Sequence, residues 1–140
     1  ALAVSARYPD ALVIGSDQVA ECEGRIAGKP GGPERAVEQL MAFNGKTVRF
    51  LSAYCVLRGT PEFRQDGISV TEVCFRNLDE AEIRRYIERD KPWDCAGSFR
   101  SEAGGSALLN RMSSDDPTSI MGLPLIHIAE CLRAGGLALP

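Results

Sequence analysis

The sequence lacks an apolar run of about eighteen residues, which is the length that a membrane-spanning helix needs. It also lacks a charged segment followed by an apolar one at its start, so we expect no secretory signal. A membrane partner is therefore not expected.

The sequence also has fewer basic than acidic residues. Sixteen lysines and arginines and nineteen aspartates and glutamates give a net charge of -3 and a pI of about 5.2. No broad basic surface is available to neutralise a polyphosphate backbone, so nucleic acid is not an expected partner. A small anionic ligand remains compatible, because one or two local basic side chains can hold it.

Cysteine and histidine form no metal-binding or disulfide pattern. The five cysteines are odd in number and widely spaced, with no C-x-x-C pair, and the single histidine, His127, is near only Cys131 in sequence. Zinc sites and disulfide frameworks use tighter spacings. We expect buried, reduced thiols in a cytoplasmic protein.

The length and composition fit one domain. The 140 residues are 44% hydrophobic and 25% charged, which is ordinary for a single globular unit over residues 1–140. The first residues, "ALAVSARYPD", have no initiator methionine and resemble the last turns of a helix. We expect a domain whose N-terminal part lies outside this chain.

Hydrophobic periodicity and turn residues predict alternating helices and strands. A tight hairpin is expected at Glu23-Gly24, a turn at Thr60-Pro61 and a bulge near Thr71-Glu72. The glycine-rich stretch after residue 92 favours neither a helix nor a strand. The expected elements are strands over 11–17, 46–59 and 66–77, and helices over 33–44, 79–91 and 124–133. This order indicates a mixed α/β domain.

Four short motifs occur in order along the chain: "GSDQV" at 15–19, "GKP" at 28–30, "CAGSFRSEAGG" at 95–105 and "MGLPL" at 121–125. In this order and spacing they resemble the Maf family of nucleoside triphosphate pyrophosphatases. The resemblance covers essentially all 140 residues. It implies an elongated α/β domain, like that of the inosine triphosphatases, with a long curved mixed sheet flanked by helices.

The resemblance also implies an activity and its requirements. Members cleave a nucleotide between the α- and β-phosphates with a divalent metal, Mg or Mn, and are usually homodimers. They open with a strand and an S-x-S-P-R-R phosphate-binding loop, followed by a glutamate and a lysine. This chain begins after those features, so the resemblance implies that it lacks the N-terminal segment.

Two residues are candidates for the chemistry. An acid at the end of a buried strand, as predicted for Asp17, projects into the cleft where open α/β sheets place ligands. Hydrolysis at the α-phosphorus needs a metal to offset charge and a base to activate water, and Asp17 is suited to either task. The resemblance makes it the proton acceptor. Lys29, between a glycine and a proline, would stabilise charge on the phosphates.

Two further residues are candidates for substrate specificity. Members that take pyrimidine nucleotides carry threonine after the aspartate and glutamine in the later loop. This chain has Gln18 and Glu102 there and resembles the YceF-like branch, which hydrolyses 7-methyl-GTP. The chemistry agrees, since one carboxylate accepts both adjacent N–H groups of guanine, and methylation makes the base cationic.

Alternatives remain open from the sequence. The same chemistry could act on dTTP, UTP or another nucleotide, or the chain could be a catalytically impaired binding or assembly module. Asp94 is a weaker metal candidate. Cys95 is not expected to be a nucleophile, and Trp93 and His127 are expected to have packing roles.

Overall fold

The protein, represented by a computed structural model that describes residues 1–59 and 63–140, combines four α-helices with five strands. The predicted turn at Thr60-Pro61 lies outside the described residues. In chain order the elements are α1 (Leu2–Ser5), β1 (Val13–Cys22), β2 (Arg25–Ala27), α2 (Pro33–Phe43), β3 (Thr47–Arg58), β4 (Phe63–Phe75), α3 (Glu80–Asp90), β5 (Leu109–Ser114) and α4 (Leu125–Ala134). Short 3₁₀ turns cover Ala96–Ser98, Gly104–Leu108 and Ser119–Met121.

The five strands form one sheet in the order β2-β1-β3-β4-β5. The expected α/β class, a sheet flanked by helices, is confirmed. Within the described residues all four strand pairs are antiparallel, whereas the resemblance implied a mixed sheet. The pairs β1–β3 and β4–β5 are antiparallel although a helix, α2 or α3, lies between the two strands in sequence, so these connections do not form the parallel crossover of a βαβ unit.

The predicted hairpin at Glu23-Gly24 is confirmed. Both residues have positive φ angles, 51° and 80°, as a two-residue type I′ turn requires. The hairpin is short, since β2 pairs only with Ala20–Cys22 of β1. In the described part of the chain, residues 13–19 of β1 therefore have a strand neighbour on one side only, which is β3.

The predicted helices agree with α2, α3 and α4. Pro33 starts α2, where a missing N–H costs nothing. Asp79 and Glu82 form the predicted capping box of α3. The side chain of Asn44, just after α2, donates to and accepts from the backbone of Leu78 before α3, at 2.9 and 2.7 Å. This reciprocal pair fixes the ends of the two helices together.

One face of the sheet carries the core. Helices α2 and α3 pack on the half formed by the ends of β1, β3 and β4, where the ring of Phe99 contacts those of Phe50 and Phe75. Helix α4 packs through Ile128 and Cys131 on Val56, in a second and smaller cluster. None of the helices in the described ranges is long and apolar enough to cross a bilayer.

Three sequence-based predictions are wrong in detail. The first strand does not end at Asp17 but continues to Cys22, because β3 pairs with it as far as Glu21↔Arg49. The bulge near Thr71-Glu72 is absent from the β3–β4 register, and the irregularity lies between Cys74 and Phe75. The pattern was misleading because Thr71 is a buried polar residue, whose hydroxyl donates to Ser114 Oγ at 2.9 Å.

The third error concerns β5, which lies at the end of the glycine-rich stretch. The sequence of this strand, "LNRMSS", has few residues that favour strands and is mostly exposed. Its pairing with β4 places it at an edge of the sheet, where exposed polar residues are normal.

Candidate active site

The four predicted site residues line one pocket of about 180 Å³. Asp17 and Gln18 come from β1, Lys29 from the loop after β2, and Glu102 from the loop after the 3₁₀ turn Ala96–Ser98. The sequence separation between the first and the last of these residues is large, so only the folded chain brings them together. The remaining walls are residues 94–96, Phe99 and residues 120–122.

Asp17 lies in the middle of a paired strand, and its side chain is exposed. The backbone N–H of Gln18 donates to Asp17 Oδ1 at 2.9 Å, which leaves Oδ2 without a partner among the described residues. Asp17 also borders a broader hollow of about 720 Å³ that includes Gly15, Ala53 and Ile68. The carboxylate therefore stands at the boundary between the small pocket and the open face of the sheet.

Gln18 fastens one pocket wall to the sheet. Its Nε2 donates to Ser119 O at 2.9 Å and is 3.2 Å from Ile120 O, with Ser52 Oγ at 2.9 Å. Backbone carbonyls accept only, so the amide nitrogen must face this wall. The amide oxygen of Gln18 has no hydrogen-bond partner among the described residues, and as an oxygen it can only accept.

The buried Ser52 reinforces the same wall, because its hydroxyl donates to Ser119 O at 2.8 Å. Three residues further along the loop, Gly122 O lies 2.7 Å from Ser16 Oγ, which lies equally close to Ala53 O. We call Ser16, Gln18 and Ser52 the sheet clamp. The clamp attaches residues 119–122 to β1 and β3 directly beside Asp17.

A buried carboxylate holds the other side of this wall. Asp116 is fully buried, and its oxygens accept from Thr118 N and Oγ1 and from the N–H groups of Ile126 and His127, at 2.6 to 3.4 Å. Burial alone would raise the pKa of Asp116, but these hydrogen bonds lower it below its ordinary value. The ionised carboxylate thus ties the loop to the first turn of α4.

Lys29 lies in a loop that is fixed on two sides. The carbonyl of Gly28 accepts from Gln39 Nε2 at 3.1 Å and from the Gly97 N–H at 3.2 Å, while the Gly31 N–H donates to Trp93 O at 3.2 Å. The lysine side chain is exposed and can reach a ligand in the pocket.

Glu102 follows a segment that is anchored in the core. Phe99 is buried, and the Arg100 N–H donates to the hydroxyl of Tyr86 at 2.8 Å. Gly97 has a φ of 60°, and a Cβ there would lie 2.8 Å from the Cβ of Ala20, so only glycine lets the loop approach β1 this closely. The Glu102 side chain itself is 54% exposed and 3.6 Å from Arg100 Nε.

The charges of the pocket favour cations. Three acids, Asp17, Asp94 and Glu102, and one base, Lys29, line it, so its formal charge is -2 (one minus three). No cluster of three or more His, Cys, Asp or Glu side chains suited to a metal occurs in the described ranges. Carboxylate oxygens suit Mg²⁺, which commonly binds one or two carboxylates plus phosphate oxygens and water. Asp17 fits that role.

The other sequence candidates divide between this pocket and elsewhere. Asp94 and Cys95 line it. Trp93 packs against the main core and His127 stacks on Tyr54, with ring centroids 5.6 Å apart. Sequence reasoning missed Ser52 and Asp116 because their importance lies in hydrogen bonds to a distant loop. The motif "MGLPL" marked part of that loop without revealing its function.

Comparison with known proteins identifies the family. The family described as Maf-like protein matches residues 1–135. A protein from Aromatoleum aromaticum named 7-methyl-GTP pyrophosphatase is 50% identical over 141 aligned positions, which cover 100% of this chain and 72% of the relative. Proteins with the same name from a Polaromonas species and from Pseudomonas aeruginosa are 47% and 46% identical; each alignment covers 99% of this chain, and 64% and 72% of the relatives.

A small pocket beside an antiparallel sheet, lined by three acids and one lysine, defines an α/β protein with a net-acidic candidate site. The match over residues 1–135 is more specific: the chain belongs to the Maf-like protein family.

Proposed function

We propose that this protein is a nucleoside triphosphate pyrophosphatase that hydrolyses 7-methyl-GTP, or a closely related modified nucleotide, to the monophosphate and pyrophosphate. The observation that carries the proposal is the meeting of Asp17, Gln18, Lys29 and Glu102 in one pocket. The name shared by relatives at 46–50% identity supports the same substrate.

The base is the part of the substrate that the pocket recognises. At about 180 Å³ the pocket is smaller than the roughly 300–1,000 Å³ of drug-sized ligand sites, so it suits a nucleobase rather than a whole nucleotide. The Glu102 carboxylate accepts the two adjacent N–H groups of guanine, and the fixed acceptor oxygen of Gln18 adds to this preference for donors. The net negative lining favours the cationic 7-methylated ring over a neutral base.

In this proposal Asp17 is the general base. Its Oδ1 is occupied by the Gln18 N–H, which orients the carboxylate and leaves Oδ2 to accept a proton from water attacking the α-phosphorus. The exposed Lys29 side chain would reach beyond the pocket to the phosphates, where its ammonium group offsets charge on the leaving pyrophosphate.

A divalent cation completes the proposed site. Asp94, on the same pocket, would hold it with phosphate oxygens of the substrate while Asp17 serves as the base; Asp17 would hold it if another group activates the water. When bound, Mg²⁺ or Mn²⁺ supplies the positive charge that a -2 pocket needs to admit a triphosphate. A homodimer and a cytoplasmic location, which the family resemblance and the cysteine usage imply, belong to the same proposal.

The experiment is pyrophosphate release from 7-methyl-GTP by the wild-type protein and Asp17→Asn. We expect kcat to fall by about 10²- to 10⁴-fold, the usual contribution of a positioned base. Asp10→Asn is the matched control, since Asp10 is exposed and outside the pocket. Full activity of Asp17→Asn would contradict the proposed role.

The same assay separates the alternatives. A panel containing GTP, dTTP and UTP tests the other substrates. Release by this chain without any added segment would contradict the alternative of a catalytically impaired module.

A further inference from the structure

A second pocket, of about 360 Å³, lies between α3, the residue after β4 and the 3₁₀ turn Gly104–Leu108. It shares no lining residue with the candidate active site. Its charged residues are Arg76, Arg85, Arg89 and Glu82, and we call it the arginine pocket. With three positive charges and one negative, its lining has a formal charge of +2, or +1 when the Asp90 carboxylate that pairs with Arg89 is counted, on a chain whose net charge is -3.

Arg89 is held in place before any ligand binds. Its Nε and Nη2 donate to the two carboxylate oxygens of Asp90 at 2.6 and 3.2 Å. Asp90 is buried and also accepts from the Gly104 N–H at 2.6 Å, so the whole unit is fixed to the loop. A Cβ on Gly104 would lie 1.2 Å from Arg89 Nη2, which shows how closely the guanidinium lies against the backbone.

Arg76 is held in the same way. Its Nη2 donates to Glu82 Oε1 at 2.7 Å and its Nε to Ala107 O at 2.9 Å. A guanidinium has five N–H donors, so Arg76 and Arg89 each retain three beyond these bonds. Because both side chains are already ordered, an anion that binds them does not incur the entropic cost of immobilising them.

Arg85 completes the pocket and has no such anchor. It is exposed, and it forms neither an ion pair nor a side-chain hydrogen bond with the residues that the structure describes. Arg85 and Arg89 are four residues apart on α3 and therefore neighbours on one face, where like charges repel. An anion between them removes this repulsion.

We propose that the arginine pocket is a second ligand site, which binds a phosphoryl group of a small anion such as inorganic phosphate or pyrophosphate. Guanidinium groups match the oxygens of a phosphate with paired N–H donors, and several of them around one oxyanion provide both charge and geometry. The inference is independent of the proposed pyrophosphatase activity, because it concerns binding at a separate pocket.

The test is an NMR titration of the ¹⁵N-labelled protein with sodium phosphate and with sodium pyrophosphate, at constant ionic strength. We expect saturable shifts of the Gly104 and Ala107 amide signals, distinct from any shifts of Gln18 and Gly122 in the candidate active site. Arg85→Gln is expected to weaken this binding about tenfold, as the loss of one charged hydrogen-bonding partner does. Its fold should be intact, since Arg85 holds no described partner in place.

Arg84→Gln is the matched control. Arg84 is the adjacent exposed arginine of α3, lies outside the arginine pocket and changes the net charge equally. Saturation by either anion, weakened by Arg85→Gln and not by Arg84→Gln, supports the proposal. Absence of saturable shifts with both anions, or equal weakening by the two substitutions, overturns it.

Discussion

The side-chain amide of Gln18 on β1 donates to the backbone carbonyl of Ser119 at 2.9 Å, across more than a hundred residues of sequence. With Ser16 and Ser52 it clamps residues 119–122 onto the sheet beside Asp17. Gln18 was expected to affect specificity through the ligand. The structure gives it a second task, because the same side chain positions a pocket wall.

The clamp predicts the effect of Gln18→Glu. A carboxylate would face the carbonyls of Ser119 and Ile120 without a hydrogen to donate, so residues 119–122 should separate from the sheet. We expect the free energy of unfolding to fall by about 1–3 kcal/mol. Urea unfolding measures the loss, and amide hydrogen exchange at residues 119–122 should accelerate. Gln65→Glu, at an exposed position of β4, provides the same charge change and should be nearly neutral. Equal stability of the two variants would argue against the clamp.

Glu102→Gln should change the choice of base. The amide offers one acceptor oxygen and a misplaced donor to guanine, and leaving a polar group unpaired costs about 1–3 kcal/mol, or about one to two decades in kcat/KM. We expect kcat/KM for 7-methyl-GTP to fall relative to that for UTP. Glu38→Gln, an exposed acid on α2, is the control. An unchanged substrate ranking in Glu102→Gln would contradict the proposed base recognition.

Metal removal should stop turnover. Three acids and one lysine give the pocket a net negative lining, which repels a triphosphate unless a cation is bound. After exhaustive chelation we expect pyrophosphate release to cease, and Mg²⁺ or Mn²⁺ to restore it. Calcium, a larger ion with looser geometry, serves as the comparison. Undiminished activity of chelated protein would exclude the proposed cation requirement.

Asp116 should make the free energy of unfolding depend on pH. Because its pKa in the folded protein is lowered, its stabilising effect is present above the unfolded-state pKa, about 3.9, and is lost as the pH falls through the folded-state value. Asp116→Asn would turn an NH₂ group toward N–H donors and cost roughly 1–3 kcal/mol at pH 7.

The measurement is urea unfolding of wild type and Asp116→Asn between pH 7 and pH 3, where the difference should shrink toward the acid end. Asp115→Asn, at the exposed neighbouring acid, should match wild type throughout. A pH-independent difference would show that the ionised carboxylate is not the source of the stability.

Substituting two glycines should separate the cost of backbone strain from the cost of steric overlap. Gly24 and Gly97 both have positive φ, but a Cβ on Gly24 meets nothing within 4 Å, whereas one on Gly97 meets Ala20 and Phe43 at 2.8 and 3.0 Å. Gly24→Ala should therefore cost about 1 kcal/mol of left-handed strain, and Gly97→Ala about 1–3 kcal/mol more from overpacking. Gly97→Ala should also displace the loop that carries Glu102, visible as a raised KM. Equal unfolding free energies would contradict this distinction.

Local sequence signals located most of the secondary structure. Pro33 and the Asp79–Glu82 box marked helix starts, and Glu23-Gly24 marked a hairpin, because these residues act through neighbours close in the chain. The first strand was ended too early at Asp17, since nothing local shows that β3 continues to pair with it. Strand β5 was missed because nothing in its own sequence shows that it pairs with β4.

The sequence by itself determined the α/β class, the family and the identity of the four pocket residues, because those depend on periodicity, turn chemistry and ordered motifs. Only the tertiary structure decided that Asp17 lies within a strand, that Gln18 and Asp116 fix residues 116–122, and that three arginines meet beside α3. The physical reason is that hydrogen bonds and charge clusters between residues far apart in the chain arise from how the elements pack, and no local pattern records them.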